Sequence, residues 1–132
     1  AGETMGDITI TGNTVSFASN AASNANGVNM WYLNTGNVTV ADNTITGAPY
    51  HGIQIASCSI PVTVTGNTVD MTKTIPFNNG EPWGILVIGN NSASVIDLTV
   101  SGNRKVGTND HWFELSGVLT TASSNYAEPW AN

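Results

Sequence analysis

Three acidic residues, Glu81, Asp110 and Glu114, carry the first chemistry that this sequence suggests. Acid–base cleavage of a glycosidic bond uses two carboxyl groups, roughly 5–5.5 Å apart when the configuration is retained and roughly 6.5–9.5 Å apart when it is inverted. Glu81 and Asp110 precede two strands that the repeats described below make neighbours, so they could pair with each other or with Glu114. These three are the candidate catalytic residues. The alternative is that they are solvated acids in loops and turns.

A second group of side chains is suited to binding sugars. Indole and imidazole rings offer flat amphipathic faces to sugar rings, and amides pair with hydroxyl groups. The candidate substrate-binding residues are Asn29, Trp31, His51, Gln54, Trp83, His111 and Trp112. Two of them, His51 and His111, could also serve as bases. The structural alternative is that the tryptophans only pack under long loops.

The cations bear on the kind of cleavage. A β-eliminating lyase needs a base and positive charge to neutralise a uronate, and the chain has only Lys73, Arg104 and Lys105. None of the three falls at a candidate binding position. No dense cluster of aspartates suggests bound calcium. We therefore predict no cofactor or metal, and we favour a hydrolase over a lyase if the chain is an enzyme.

Composition narrows the class of protein. The chain of 132 residues has 9 acidic and 3 basic residues, and this net charge of −6 argues against nucleic acid or an anionic membrane as partner. No apolar run is long enough to cross a bilayer. Asn and Gly favour turns while Thr and Val favour strands, so the composition predicts an all-β chain. The single cysteine, Cys58, is expected to be a small buried hydrophobic residue.

The elements that must position these residues are repeated. One strand-and-turn phrase occurs four times: ITITGNTVSF from residue 8, VTVADNTITG from 38, VTVTGNTVDM from 62 and LTVSGNRKV from 98. A Gly-led phrase lies between the copies: GVNMWYL from 27, GIQIAS from 52, GILVIG from 84, and WFELSG from 112 with Trp in the place of glycine. The phrases keep their length and the links between them vary, which is typical of a solenoid.

Alternation within the phrase predicts how the repeats stack. Ile and Val alternate with Thr, so the aliphatic side chains face a core and the threonines face outward. No two-residue Asn-Gly or Asp-Gly hairpin joins the strands, so we predict a coil whose turns stack in parallel. Asp42 takes the place of a turn glycine, which Asp tolerates because it adopts left-handed geometry. Arg104 and Lys105 break the pattern, and we expect the regular structure to loosen there.

The turn asparagines are expected to form a ladder. Aligned repeats would place them in one column, each side chain bonding to backbone and to its neighbour. The predicted structural ladder consists of Asn13, Asn43, Asn67 and Asn103. A buried polar group left unpaired costs about 1–3 kcal/mol, so the column makes sense only if its members align.

The GNT turns, the GIxI strands and the irregular links resemble a right-handed parallel β-helix, the fold of pectate-lyase-like proteins and bacteriophage tailspikes. The resemblance covers about residues 6 to 117. It implies about four coils within 1–117 and an irregular C-terminal cap or tail over 118–132. Nothing before Gly6 resembles a cap, so the chain reads as the C-terminal part of a longer β-helix.

The resemblance also implies a substrate groove along the outside of the Gly-led sheet. Registering the Gly-led phrases on their first residue gives three outward columns: Asn26, His51, Trp83 and His111; Asn29, Gln54, Leu86 and Glu114; Trp31, Ala56, Ile88 and Ser116. The first two columns suit a neutral or weakly charged glycan. The apolar Leu86 and Ile88 instead indicate a subunit contact or a covering loop.

Two functions follow as expectations. The first is a glycan-binding β-helix, with cleavage left open, similar to a tailspike or polysaccharide depolymerase that recognises bacterial surface polysaccharide. That resemblance implies a homotrimer located outside the cell or on a virion surface, or a partner in the missing N-terminal part of the same protein. The second is a structural or assembly β-helix without an active site.

Overall fold

A computed structural model describes residues 6–18, 24–58, 60–72, 82–88, 98–107 and 113–116, the last range by its backbone alone. Within these ranges the regular structure is entirely β. The strands are β1 (Ile8–Thr11), β2 (Thr14–Ser16), β3 (Val28–Trp31), β4 (Val38–Ala41), β5 (Thr44–Thr46), β6 (Ile53–Ala56), β7 (Val62–Thr65), β8 (Thr68–Asp70), β9 (Ile85–Ile88), β10 (Leu98–Ser101), β11 (Arg104–Val106) and β12 (Phe113–Ser116). In this part of the chain no helix has the length and apolar character needed to cross a membrane.

The strands form three four-stranded parallel sheets. Sheet A has the order β1-β4-β7-β10, sheet B has β2-β5-β8-β11, and sheet C has β3-β6-β9-β12. The chain visits the sheets in the same order in each repeat, and equivalent residues pair: Ile8 with Val38, Val38 with Val62, and Val62 with Leu98. The all-β prediction is confirmed, and the stacked parallel sheets are consistent with a parallel β-helix.

Alternation places the core between the sheets. In β4 and β7 the valines are buried and the intervening residues are partly exposed. Sheet B contributes Ile45 and Val69, and sheet C contributes Ile53, Ile55, Ile85 and Val87 to the same cluster. Burying one such aliphatic side chain stabilises a fold by roughly 1.5–3 kcal/mol, so this column is the main source of stability.

The bend between sheets A and B requires left-handed backbone. The residue before each turn asparagine has a positive φ, between 55° and 66°: Gly12, Asp42, Gly66 and Gly102. Glycine adopts this conformation without steric cost, and aspartate is among the few other residues that visit it routinely. Asp42 therefore fits the bend, as the sequence predicts.

Sheet B continues through the irregular fourth copy of the repeat. β11 pairs with β8, with Arg104 opposite Thr68 and Lys105 opposite Val69. The expectation that the structure loosens at Arg104 and Lys105 is therefore wrong. Parallel pairing uses the backbone of both strands, and the long aliphatic stem of the half-buried Lys105 can lie over apolar neighbours.

Glycine leads the strands of sheet C because a side chain there would collide with the core. A Cβ atom on Gly27 would lie 2.6 Å from the carbonyl oxygen of Gly52 and 2.6 Å from Cγ2 of Ile45. On Gly52 it would lie 2.5 Å from the carbonyl oxygen of Gly84 and closer still to Cγ1 of Val69. The glycines thus allow sheet C to approach sheet B closely.

Candidate functional site

Four turn asparagines form one continuous hydrogen-bonded column. The backbone N–H of Asn13, Asn43 and Asn67 each donates to Oδ1 of the next asparagine at 3.0 Å. Their Nδ2 groups donate to the same oxygens at 3.1, 2.9 and 2.8 Å. The remaining Nδ2 hydrogens of the last three asparagines donate to the carbonyl oxygens of Ile10, Val40 and Val64, each at 2.9 Å. The column satisfies its buried members and holds sheets A and B in register.

The outer face of sheet C is where the candidate binding residues lie. Strand pairing places Asn29 opposite Gln54, Gln54 opposite Leu86, and Leu86 opposite Glu114. Trp31 lies opposite Ala56, which lies opposite Ile88. The register of these columns therefore agrees with the alignment of the Gly-led phrases.

The middle of this face is buried. Gln54 is 7% exposed, and the neighbouring Ala56 and Leu86 are also buried. Oε1 of Gln54 already accepts a hydrogen bond of 2.8 Å from Nδ2 of Asn26. Since Leu86 is buried within a single chain, its apolar side chain needs no subunit contact. The described outward side chains around β6 are therefore covered and not exposed to solvent.

His51 is a structural acceptor at the entrance to β6. Its Nδ1 accepts a hydrogen bond of 3.0 Å from the backbone N–H of Trp83, and the backbone N–H of His51 donates to Oδ1 of Asn26 at 3.1 Å. The ring lies 3.9 Å from the Tyr50 ring, and the side chain is 3% exposed. Burial lowers the pKa of His51 to about 4, so the imidazole is neutral at pH 7. With Nδ1 engaged and the residue buried, His51 links adjacent repeats.

The candidate binding residues whose side chains are exposed lie in β3. Asn29 and Trp31 point away from the core, while Val28 and Met30 point into it. Trp31 is 45% exposed, and its Nε1–H donates to Oδ1 of Asn29 at 2.7 Å. This bond fixes the indole ring on the surface. We call Asn29, Trp31 and the adjoining Tyr32 the aromatic patch.

Tyr32 completes the aromatic patch in an unusual conformation. The side chain is 70% exposed, and its ring centroid lies 5.8 Å from that of Trp31 with the planes tilted by 45°. Its φ of 59° is in the left-handed region, which bulky residues rarely adopt. Ser57 has the same geometry, φ 55°, at the equivalent place after β6. The fold thus requires a left-handed residue here, and the sequence places tyrosine where glycine or asparagine would be less strained.

Sequence reasoning did not select Tyr32. In the repeat alignment it lies after the last outward position of the Gly-led phrase, and no strand period applies there. The one available signal was the WY pair in GVNMWYL. Its exposure and left-handed backbone become evident only from the structure.

The remaining candidate residues are placed only in part. Glu81, Asp110, His111 and Trp112 lie outside the described residues. Glu114 belongs to β12 and lies opposite Leu86 on the adjacent strand β9, and the structure describes it by its backbone alone. Trp83 is half-buried, and its backbone N–H supports His51. The carboxylate distances that would decide between retention and inversion therefore stay predictions.

The described ranges contain few residues that could bind a metal ion together. No group of three or more His, Cys, Asp or Glu residues is close enough there to hold a metal ion. The thiol of Cys58 is buried and donates to the carbonyl oxygen of Ala56 at 3.3 Å, and burial raises its pKa.

Comparison with known proteins gave no match. No family model matches the chain, and no significant similarity was found to a curated protein or to a solved structure.

Proposed function

We propose that this chain is a β-helical glycan-binding protein whose binding surface includes the aromatic patch. The observation that carries the proposal is Tyr32, a largely exposed aromatic residue held in left-handed backbone. Left-handed geometry costs a residue with a Cβ roughly 1–2 kcal/mol. A tyrosine with most of its surface in water recovers little of that cost by packing. Strain of this kind is often stored at binding sites.

The chemistry of the aromatic patch suits a neutral sugar. Two aromatic faces tilted by 45° can cover adjoining rings, and the phenol can donate or accept hydrogen bonds with hydroxyl groups. The Nδ2 of Asn29 makes no hydrogen bond to another described residue, so it can donate to a ligand. No cation among the described residues adjoins the patch in sequence, and the chain is acidic overall, which favours an uncharged glycan over an acidic one.

The finer identity is part of the proposal. The repeat phrases support a right-handed helix of about four coils, similar to tailspikes and polysaccharide depolymerases that act on bacterial surface polysaccharide. With it we propose a trimeric assembly outside the cell or on a virion. Cleavage would require two of Glu81, Asp110 and Glu114. Glu114→Gln should abolish release of reducing ends while leaving binding intact if this segment is catalytic.

The test uses a substitution that separates binding from folding. Tyr32→Gly removes the aromatic ring and relieves the left-handed strain, so it should raise the melting temperature and weaken glycan binding. Asp42→Gly is the matched control, because it relieves the same kind of strain away from the aromatic patch. Binding is measured by calorimetric titration with bacterial surface polysaccharides that the parent chain binds on a glycan array. A Tyr32→Gly variant that binds as tightly as the parent would refute the aromatic patch as the site.

The second candidate function is a structural or assembly β-helix. The observation that favours it is the burial of the outer face around β6, where tailspike-like proteins would expose a groove. A parent chain that binds none of the polysaccharides on the array would favour this reading over glycan binding.

A further inference from the structure

The two ends of the stacked sheets are buried to different degrees. At the β10 end Leu98 and Val100 are 1% and 0% exposed. At the β1 end the equivalent residues Ile8 and Ile10 are only half-buried, and so are Val15 and Phe17 of the β2 region. In the interior repeats the equivalent apolar side chains are covered by the neighbouring repeats. In the first repeat they are partly exposed and form an apolar layer on the surface.

The asparagine column is unfinished at the same end. Oδ1 of Asn43 accepts two hydrogen bonds from Asn13, and Oδ1 of Asn67 accepts two from Asn43. Oδ1 of Asn13 accepts none from the described residues. One Nδ2 hydrogen of Asn13 is donated to the carbonyl oxygen of Thr11, within the same repeat. The equivalent hydrogens of Asn43 and Asn67 are donated to carbonyl oxygens of the preceding repeat. Asn13 therefore has the hydrogen-bonding capacity for one more repeat.

The strand edge offers matching backbone groups. The N–H of Ile8 donates to Asn37 and the N–H of Gly12 donates to Ala41, so these groups face β4. Since the direction of hydrogen bonding alternates along a strand, the N–H groups of Thr9 and Thr11 face away from β4. Within the described residues β1, β2 and β3 are the first strands of their sheets. An unpaired edge of this kind is a template for another strand.

We infer that the β1 end is a docking surface for the terminal repeat of another parallel β-helical segment. The occupant has an aliphatic-Thr-aliphatic strand and an asparagine turn, and it adds to all three sheets in parallel register. Its asparagine donates its backbone N–H and Nδ2–H to Oδ1 of Asn13. Its aliphatic side chains cover Ile8, Ile10 and Val15.

A second copy of this chain does not offer that occupant. Two β1 ends facing each other would bring two Asn13 oxygens together, both acceptors. At the opposite end Leu98, Val100 and Asn103 are buried within the chain, so β10 and its turn do not present an open surface. The hydrogen-bond directions therefore exclude a facing copy of the same end, and the occupant is a repeat whose asparagine presents donors to Oδ1 of Asn13.

The test measures binding of a peptide that carries the chain's own repeat, VTVTGNTVD (residues 62–70), to the full chain by calorimetry. The control peptide has alanine in place of the asparagine, and both carry the same charged tail for solubility. We expect saturable binding at one site. The control keeps the backbone N–H but loses the Nδ2–H hydrogen bond to Oδ1 of Asn13, which should weaken its binding by roughly threefold to tenfold. Absence of binding, or equal binding of the two peptides, would overturn the proposal.

Variants of the chain locate the binding site. Thr9→Pro removes an N–H that faces away from β4, so it should leave the fold intact and abolish peptide binding; proline is tolerated on an edge strand. Thr9→Val keeps the N–H and the side-chain shape, and it should bind like the parent. A Thr9→Pro variant that keeps its melting temperature and still binds would overturn the β1 edge as the site. Sedimentation that shows an oligomer of the chain alone, and its loss in Thr9→Pro, would instead identify a second copy as the occupant.

Discussion

Asn67 lies within the asparagine column, and every polar group of its side chain is bonded. Its Oδ1 accepts two hydrogen bonds from Asn43, and its Nδ2 donates to Asn103 and to Val40. Asn67→Ala should lower the free energy of unfolding by about 1–3 kcal/mol or more, because buried donors on Asn43 lose their acceptor. Asn13→Ala, at the exposed end, is the control and should cost much less. Chemical denaturation measures both, and equal losses would show that position in the column has no effect.

His51 should make stability depend on pH. The unfolded side chain takes up a proton near pH 6.5 and the folded one only near pH 4, so between these values the unfolded state binds more protons. The contribution of His51 to the free energy of unfolding is therefore fully present above pH 6.5. It is lost as the pH falls towards 4, by at most about 1.4 kcal/mol per pH unit.

The matched variant for His51 is His51→Asn. The amide oxygen can replace Nδ1 as acceptor for the N–H of Trp83, but it does not take up a proton in this range. Denaturation curves collected from pH 7 to pH 4 should show a smaller slope in the variant, since the carboxylates contribute to both proteins alike. Identical slopes would mean that His51 titrates at its ordinary pKa in the fold.

At the scale of the strands, Gly52 and Gly12 should respond differently to the same substitution. Gly12→Ala places a Cβ in open space and costs only the left-handed strain, roughly 1–2 kcal/mol. Gly52→Ala places a Cβ against the carbonyl of Gly84 and the side chain of Val69. A backbone carbonyl cannot rotate away, so Gly52→Ala should cost more than Gly12→Ala in thermal unfolding. The reverse order would mean that sheet C can shift outward without loss.

Elements of this fold were predictable where a local pattern repeats. The Val-Thr-Val alternation fixes which side chains are inside, and the asparagine at each turn lies where that alternation ends, so register and ladder follow from aligned phrases. The prediction that the structure loosens at Arg104 and Lys105 was wrong because strand pairing in sheet B depends on the backbone, which side-chain patterns do not report.

The candidate site was less predictable because exposure is not a local property. His51 and Gln54 lie at outward positions and are nonetheless buried, because residues distant in sequence can cover an outer face. Tyr32 falls just after a strand, where periodicity gives no orientation, and its left-handed φ follows from the bend that Ser57 shares. Asn29 and Trp31 lie at outward positions of β3 and are exposed, as the alternation along that strand predicts.

For the whole molecule, stability should fall from the interior repeats towards β1. A solenoid repeat contacts mainly its neighbours, so stability is close to a sum of repeat and interface terms. The first repeat has half-buried core residues and an open edge among the described residues, and it should open without global unfolding. Native-state hydrogen exchange should show the amides of Ile8 and Ile10 less protected than those of Val38 and Val40. Uniform protection across β1 and β4 would indicate a single cooperative unit.

The asparagine column also bears on how such a gene can grow. Each inner rung of the column, meaning one turn asparagine with its hydrogen bonds, uses the same donors and the same acceptor. The chain between successive rungs differs in length, since the asparagines are separated by 30, 24 and 36 residues. A duplicated stretch of DNA that encodes one repeat would bring its own rung and could be inserted between any two others. The reading frame, and not the exact length of the copied segment, would then decide whether the protein still folds. Ancestry by unequal crossing-over would leave this pattern of uniform turns and uneven links.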